Sequence, residues 1–462
     1  MAASRKLLPN KSIVGVVAAC LVRHVPPHAR LTLALSGGLD SVVLLHALNA
    51  LRPHPFDLRA VHVHHGLSSR ADDWAHFCAQ SCAALEVELS VHRIRIADPD
   101  PAGIEAAARR ERRQIFAALD TDFLLTAHHK NDQAETLMLQ LLRGAGPKGL
   151  SAMAELQHLP DWQAAQLRPL LTLTRAELWH YAQSHALGWV EDESNLDTRY
   201  RRNALRQQVM PLLDAHFPGV SNTLARAAAL QADAAELLDD LARLDAQAAI
   251  DGARLDCRVL AALSIPRARN LLRYFIGLQG WPMPNARRLN EALHQLLDAH
   301  PAARMCVNLS GADLHRFRGG AYLVPTRALP VQAPRVWRGE PFIELEAVGL
   351  RVAFTPTVGS GLKRALLDAG RIELRLREGR EKMRLTPGGP HRTLKNLLQE
   401  SAIPPWERDR FPLLMCDGRL VWAAGLGVDA DFRAGPGEAG VMPACVRTSG
   451  NNEGISQPGL RA

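Results

Sequence analysis

The chain has 462 residues, 47% of them hydrophobic and 22% charged, which is too long for one typical core and too apolar for a disordered protein. Its net charge of +8 and pI near 9.4 favour a polyanionic partner, because a basic surface gathers nucleic acid through counterion release. Seven scattered cysteines, Cys20, Cys78, Cys82, Cys257, Cys306, Cys416 and Cys445, with no C-x-x-C pair argue against a disulfide framework, a zinc ribbon and an iron–sulfur site.

Arg5, Lys6 and Lys11 before an apolar stretch imitate a secretory leader. Ile13, Val16, Val17, Cys20, Leu21 and His24, however, repeat at i, i+3, i+4, i+7 and predict an amphipathic helix. No stretch reaches the length of a membrane span, so a soluble, cytoplasmic protein is expected. Residues 31–35 read as a buried parallel strand and 41–48 as a helix packed back on it. Between them Ser36, Gly37, Gly38, Leu39, Asp40 and Ser41 form a turn whose N–H groups can converge on an anion at a helix start. The loop lacks the Lys-Ser/Thr pair of a Walker motif and the spacing of a dinucleotide fingerprint. It matches SGGxDS, the signature of the PP-loop ATP pyrophosphatases.

Strands predicted at 58–63, 87–94, 123–127 and 168–171 alternate with helices at 71–85, 104–119, 134–142 and 174–185. This is the α/β pattern of a parallel sheet covered on both faces, with ligands at the C-terminal strand ends. A catalytic domain over 1–217 is therefore expected. Helical runs at 221–249, 266–278 and 285–297, with weak strand pieces at 305–309 and 321–324, predict a helical middle domain over 218–325. After a segment with four prolines between Pro325 and Pro341, a small α+β domain is expected over 342–433, and a disordered tail over 434–462. Thirteen Lys/Arg against seven Asp/Glu between residues 351 and 410 concentrate the positive charge in that third domain.

Several side chains are candidates for chemistry. His62 and His64 share a strand face and suit the polar lining of a nucleotide pocket. Asp132 and Glu135, three apart at a helix start after the fourth strand, put two carboxylates on one face, ready for a cation. Arg109, on the helix from 104, can neutralise charge growing on a phosphate held by the cradle. Arg375, Arg377, Arg380, Arg384, Arg392 and Lys395 surround a Pro387-Gly388-Gly389-Pro390 turn as candidate nucleic-acid contacts.

Together SGGLDS, His62-Val63-His64-His65-Gly66-Leu67, Glu105 to Arg109, Thr126 to Thr136, Val190 to Asn195, Tyr200 to Asn203 and the run from Leu385 to Trp406 resemble the tRNA(Ile)-lysidine synthase family. The resemblance covers residues 31–433 in order. It implies a ligase that uses ATP and Mg²⁺ to join L-lysine to C2 of the wobble cytidine in the CAU anticodon of tRNA(Ile), so that AUA is read instead of AUG. It implies ATP binding by Ser36, Gly37, Gly38, Leu39, Asp40, Ser41 and His64, and lysine binding by Asp132 and Glu135. It further implies catalytic roles for Asp40, Arg109, Asp132 and Glu135, and tRNA binding by Arg202 with the basic C-terminal residues. A homodimer is compatible with the sequence. Asn131 departs from the family where many relatives carry a second Asp, as does His64 where Asn is common. Paired cysteines, which a tRNA thiolase of the same superfamily would carry, are absent. An amidotransferase or NAD synthetase would not account for the basic third domain, nor a non-catalytic RNA-binding protein for the cradle.

Overall fold

A computed structural model of the chain describes residues 12–53, 56–66, 68–94, 104–160, 162–193, 197–298, 305–326 and 333–447. The leader-like Arg5, Lys6 and Lys11, Ser194 to Leu196 of the acidic loop, and part of the proline-rich segment lie outside them, as does the side chain of Glu105. The chain divides into two units, Met1–Leu238 and Asp239–Ala462.

In the first unit the order is α1 (Ile13–His24), β1 (Arg30–Ala34), α2 (Leu39–Asn49), β2 (Asp57–His64), α3 (Ala71–Ala84), β3 (Glu88–Arg93), α4 (Ile104–Ala117) and β4 (Phe123–Leu125). Then come α5 (Lys130–Leu141), α6 (Pro147–Leu150), β5 (Leu156–Gln157), β6 (Ala165–Leu167) and α7 (Arg175–Ser184). The six-stranded sheet runs β3-β2-β1-β4-β6-β5, parallel except for the β5–β6 pair. Leu31, Leu33, Leu44, Leu45, Leu48 and Leu125 are at most 1% exposed, so β1 is central and α2 is apolar on most of its circumference. The predicted helix at 13–24 is present, with Val17, Cys20 and Leu21 in the same core.

The strand expected at 168–171 lies earlier, at Ala165–Leu167. Arg168 is 5% exposed and donates to Ala154 O, Gln157 Oε1 and Gln166 Oε1. The turn bonds Leu171 N to Arg168 O and Leu173 N to Leu170 O then replace the ladder. The first unit continues through α8 (Arg201–Ala204), a π-helical turn at Leu205–Val209, α9 (Met210–His216) and the start of α10 (Val220–Ala249).

The middle region keeps its expected helices and extends the two expected strand pieces into a five-stranded sheet. β7 (Ile250–Asp251), β8 (Arg254–Asp256), β9 (Cys306–Leu309), β10 (Ala312–Phe317) and β11 (Gly320–Pro325) form an antiparallel sheet in the order β7-β8-β11-β10-β9. It packs with α11 (Cys257–Ala262), α12 (Ile265–Leu278) and α13 (Ala286–Asp298) around Leu255, Leu272, Phe275, Leu293 and Leu314. β8 is three residues long and pairs with Gly320 and Ala321. It also forms a tight hairpin with β7 (Ile250↔Leu255, Asp251↔Arg254), but both strands are too short to show a readable alternation.

The remaining elements are β12 (Arg335–Trp337), β13 (Phe342–Leu345), β14 (Leu350–Val358), β15 (Leu362–Lys363), α14 (Arg364–Ala369), β16 (Ile372–Leu376), β17 (Lys382–Met383), β18 (Arg392–Thr393), α15 (Leu394–Glu400), α16 (Pro405–Arg408), β19 (Pro412–Cys416), β20 (Arg419–Ala423), β21 (Gly427–Val428) and β22 (Ala439–Arg447). Two larger sheets, β12-β16-β19-β20-β21 and β13-β14-β22-β15, share one core. β22 corrects the expected tail over 434–462, because Ala439–Arg447 pairs with β14 along its full length, from Val358↔Ala439 to Leu350↔Arg447. Its Gly and Pro content resembles a disordered segment, but the ladder comes from residues about ninety positions earlier. Residues 448–462 lie outside the described residues.

Candidate active site at the strand ends

The first unit's connections turn in opposite directions at β1, toward β2 on one side and toward β4 on the other. In such sheets the ligand crevice opens at this switch point, outside the carboxyl ends of the two strands. Two loops meet there: residues 35–38 after β1 and residues 126–129 after β4.

The first loop has the form of an anion cradle. Gly37 has φ of +83°, and a Cβ there would stand 2.9 Å from Val190 Cγ2 and 3.1 Å from Cys78 Sγ, so this position admits only glycine without strain. Val190 N donates to Gly37 O at 2.9 Å, and His62 Nδ1 lies 2.9 Å from Leu35 O, which fixes the loop from both sides. Gly38 caps α2 without a side-chain bond, leaving the amides of Leu39, Asp40 and Ser41 at the positive end of the helix dipole. Ser36 Oγ lies 3.1 Å from Ser41 Oγ, and Ser41 Oγ donates to Gly38 O. Asp40 Oδ1 is buried and, among the described residues, has no hydrogen-bond partner.

The second loop carries the carboxylates. His129 caps α5 in a reciprocal box: its Nδ1 faces Asp132 N at 3.4 Å, and its own N–H donates to Asp132 Oδ2 at 3.0 Å. Its Nε2 lies 3.5 Å from Asp40 Oδ2, so one imidazole joins the cradle to Asp132. Glu135 follows one turn later and is 3% exposed. Arg202 Nη2 and Arg206 Nη2 each reach Asp132 Oδ1 at 2.9 Å, while Arg202 Nε and Arg206 Nε bind the two Glu135 oxygens at 3.0 and 2.6 Å. The arginines share one helix face at i, i+4. Pro211 lacks an N–H, and the turn ahead of it widens so that Met210 N bonds Leu205 O.

Burial alone would raise the Asp132 pKa, but His129 and Arg202 outweigh it and hold the carboxyl below its usual range. Burial opposes charge on His129, yet its contacts with Asp40 and Asp132 raise its pKa. His128 is pushed down to about 4 by burial, with Thr126 Oγ1 3.0 Å from its Nδ1. A depressed histidine is neutral in the folded chain while the unfolded chain takes up a proton below about pH 6.5. Its contribution to stability is therefore complete above that pH and is lost as pH falls toward 4. Between pH 6.5 and 5 the loss is about 2 kcal/mol. Urea melts of His128→Gln should show a shallower decline over this interval than the parent chain, and identical slopes would remove His128 from the account.

The structure brings together Ser36, Gly37, Gly38, Leu39, Asp40 and Ser41 with Asp132 and Glu135, and it adds His129 and Arg206. His129 was legible as a residue three before an acid at a helix start, and Arg206 as the i+4 partner of Arg202. Arg202, expected to contact nucleic acid, sits instead against the carboxylate pair. His64 is buried, with Nε2 3.3 Å from Asp72 and 3.4 Å from Arg93 Nη1. Arg109 is exposed on α4. Asn131 is a strut between helices: its Oδ1 accepts from Arg175 N and its Nδ2 donates to Ser221 Oγ.

In the C-terminal region Arg375 is 15% exposed between Glu378 and Glu381, and Arg377 is 11% exposed beside Asp409. These two serve ion pairs of the fold more than surface contacts. Arg384 is paired with Asp431 and Arg392 with Glu400. Arg380, Lys382 and Lys395 are exposed, with no ion pair among the described residues.

A glycine cradle and a carboxylate-bearing helix on either side of the switch point define a PP-loop domain, and that family matches residues 13–213. Two further families, the TilS substrate binding domain and the TilS substrate C-terminal domain, match residues 255–322 and 372–445. A tRNA(Ile)-lysidine synthase from Nitrosomonas europaea is 41% identical over 91% of this chain and 93% of its own length. One from Aromatoleum aromaticum is 44% identical over 90% and 97%. The chain belongs to the tRNA(Ile)-lysidine synthase family.

Proposed function

We propose that this chain is a cytoplasmic carbon–nitrogen ligase that joins lysine to C2 of the wobble cytidine in a CAU-anticodon isoleucine tRNA. The observation that carries this reading is the His129 bridge, which sets the phosphate cradle at Asp40 beside the Asp132/Glu135 pair. An activating and an accepting half-reaction can then share one crevice. In the first, the cytidine C2 oxygen attacks the α-phosphorus of ATP and the bond to pyrophosphate breaks. In the second, the lysine ε-amine attacks C2, the C2–O bond breaks and AMP leaves with its electron pair.

The cradle amides of residues 39–41 would bind and orient the phosphates. The buried, unpartnered Asp40 Oδ1 suits a hard cation that takes oxygen ligands, so the residues fit Mg²⁺. That ion, when bound, would neutralise phosphate charge. Asp132 and Glu135 already hold two guanidinium groups, which supports a site for the lysine cation. Asp132 and Glu135 would bind the lysine cation between them and relay the proton that its amine loses. Arg202 belongs to this site. Phosphate contacts of the tRNA fall to the exposed Arg380, Lys382 and Lys395.

Sulfur transfer is the competing chemistry. Cys78 and Cys82 are buried, and their thiols are pushed up to about 12 and about 11 by that burial, which withholds the thiolate that sulfur transfer uses. Incubation with ATP, labelled lysine and either isoleucine or methionine tRNA carrying CAU tests the proposal. Label should enter the isoleucine tRNA alone; label in neither, or in both alike, would count against it.

A further inference from the structure

Trp179, on α7, is 47% exposed and serves none of the roles assigned above. With Arg175, His180, Trp189, Glu191 and Leu39 it lines a cleft of about 400 Å³, within the range of small-ligand sites, roughly 300–1,000 Å³. The cleft is fixed to both halves of the reaction centre. Leu39 is the first residue of the cradle helix, and Trp189 and Glu191 flank Val190, whose N–H donates to Gly37 O. On the other side the Arg175 main-chain N–H donates to Asn131 Oδ1 at 3.0 Å, next to Asp132. The Thr174–Glu177 capping box orders this end of α7.

The lining has the chemistry of a nucleobase site. An exposed indole offers a flat face for stacking, an exposed guanidinium can meet a phosphate, and the exposed Glu191 carboxylate can accept from an exocyclic amine. An apolar ligand would use neither charge. We propose that this cleft receives the adenine that follows the target cytidine in CAU, stacked on Trp179 with its N6 amine toward Glu191 and a flanking phosphate toward Arg175. Uracil, the third base, has no exocyclic amine to satisfy the carboxylate. The inference rests on the lysidine-forming reading and names a specificity contact for it.

The test uses the full chain with an anticodon stem-loop carrying 2-aminopurine in place of that adenine, a probe that keeps the stacking face but carries its amine at C2 and so reports the stack alone, alongside steady-state kinetics on intact tRNA, which read the N6 contact. Binding to the parent protein should quench the probe. Trp179→Ala should abolish the quench and raise KM for tRNA about tenfold or more, as loss of one stacked base predicts, while KM for ATP stays unchanged. Trp179→Phe should restore most of both, which a merely misfolded variant would not. Glu191→Ala, which removes the acceptor, should raise KM for tRNA with the quench retained. An unchanged quench and KM in Trp179→Ala would overturn the proposal. So would a shift in oligomeric mass with tRNA kinetics intact, which would assign the face to a second copy of the chain. Lysidine formation by the parent protein in the same assay keeps this failure distinct from failure of the reaction itself.

Discussion

Glu135→Gln should lower lysine transfer by about 10³-fold while pyrophosphate release on tRNA continues, because the change removes a charge and a proton relay without altering shape. The same substitution should weaken the fold. Glu135 is 3% exposed and accepts bonds from Arg202 and Arg206, which would lose half of their counter-charge. Breaking a fully buried pair costs about 3–5 kcal/mol. Here the two guanidinium groups keep 29% and 31% of their exposure, so about 2–3 kcal/mol is expected. Adding Arg202→Met and Arg206→Met to Glu135→Gln should recover stability in urea melts without recovering lysine transfer. Recovery of both would reduce the carboxylate to a structural partner of the arginines. Asp132→Ala is a less discriminating change, since Asp132 Oδ2 also accepts the His129 N–H that starts α5.

Gly37→Ala should act on the other half-reaction. The added methyl group meets Val190 Cγ2 at 2.9 Å and Cys78 Sγ at 3.1 Å, on a backbone with φ of +83°. Strain of this kind amounts to about 1–3 kcal/mol, and the loop can relieve it only by turning its amides away from the phosphates. Pyrophosphate release should fall by about 100-fold or more, in line with the loss of a preorganised anion site. Gly38→Ala, where the nearest atom to an added Cβ is Ser36 Oγ at 3.5 Å, should be milder. Equal activity of Gly37→Ala and the parent chain, measured as tRNA-dependent pyrophosphate release, would remove the cradle from the mechanism.

The sheet of the first unit was legible because its strands are short apolar runs that alternate with amphipathic helices, so Leu31 to Leu35 and its neighbours announce themselves locally. β8 and β22 were not. β8 is only three residues long, and the ladder of β22 is supplied by β14, at a sequence distance that no window spans. The same division holds in the site. Asp132 and Glu135 declare themselves by spacing, and Gly37 by its motif. Arg202 reads as surface charge until the fold brings residue 202 to residue 132, and Arg375 and Arg377 read as a basic patch until Glu381 and Asp409 are placed beside them. Charge content predicts that a region is basic; it does not tell which of its charges are already neutralised by partners.

The central claim is that cradle and carboxylates serve two consecutive steps on one cytidine. It is tested most directly by mass spectrometry of the wobble nucleoside after the parent chain and Glu135→Gln have each acted on CAU-anticodon isoleucine tRNA with ATP and lysine. The parent chain should leave lysine on C2 of that cytidine, and Glu135→Gln should leave the AMP adduct or the cytidine regenerated from it. Sulfur at C2, or equal lysidine yields from both proteins at equal rates, would contradict the account.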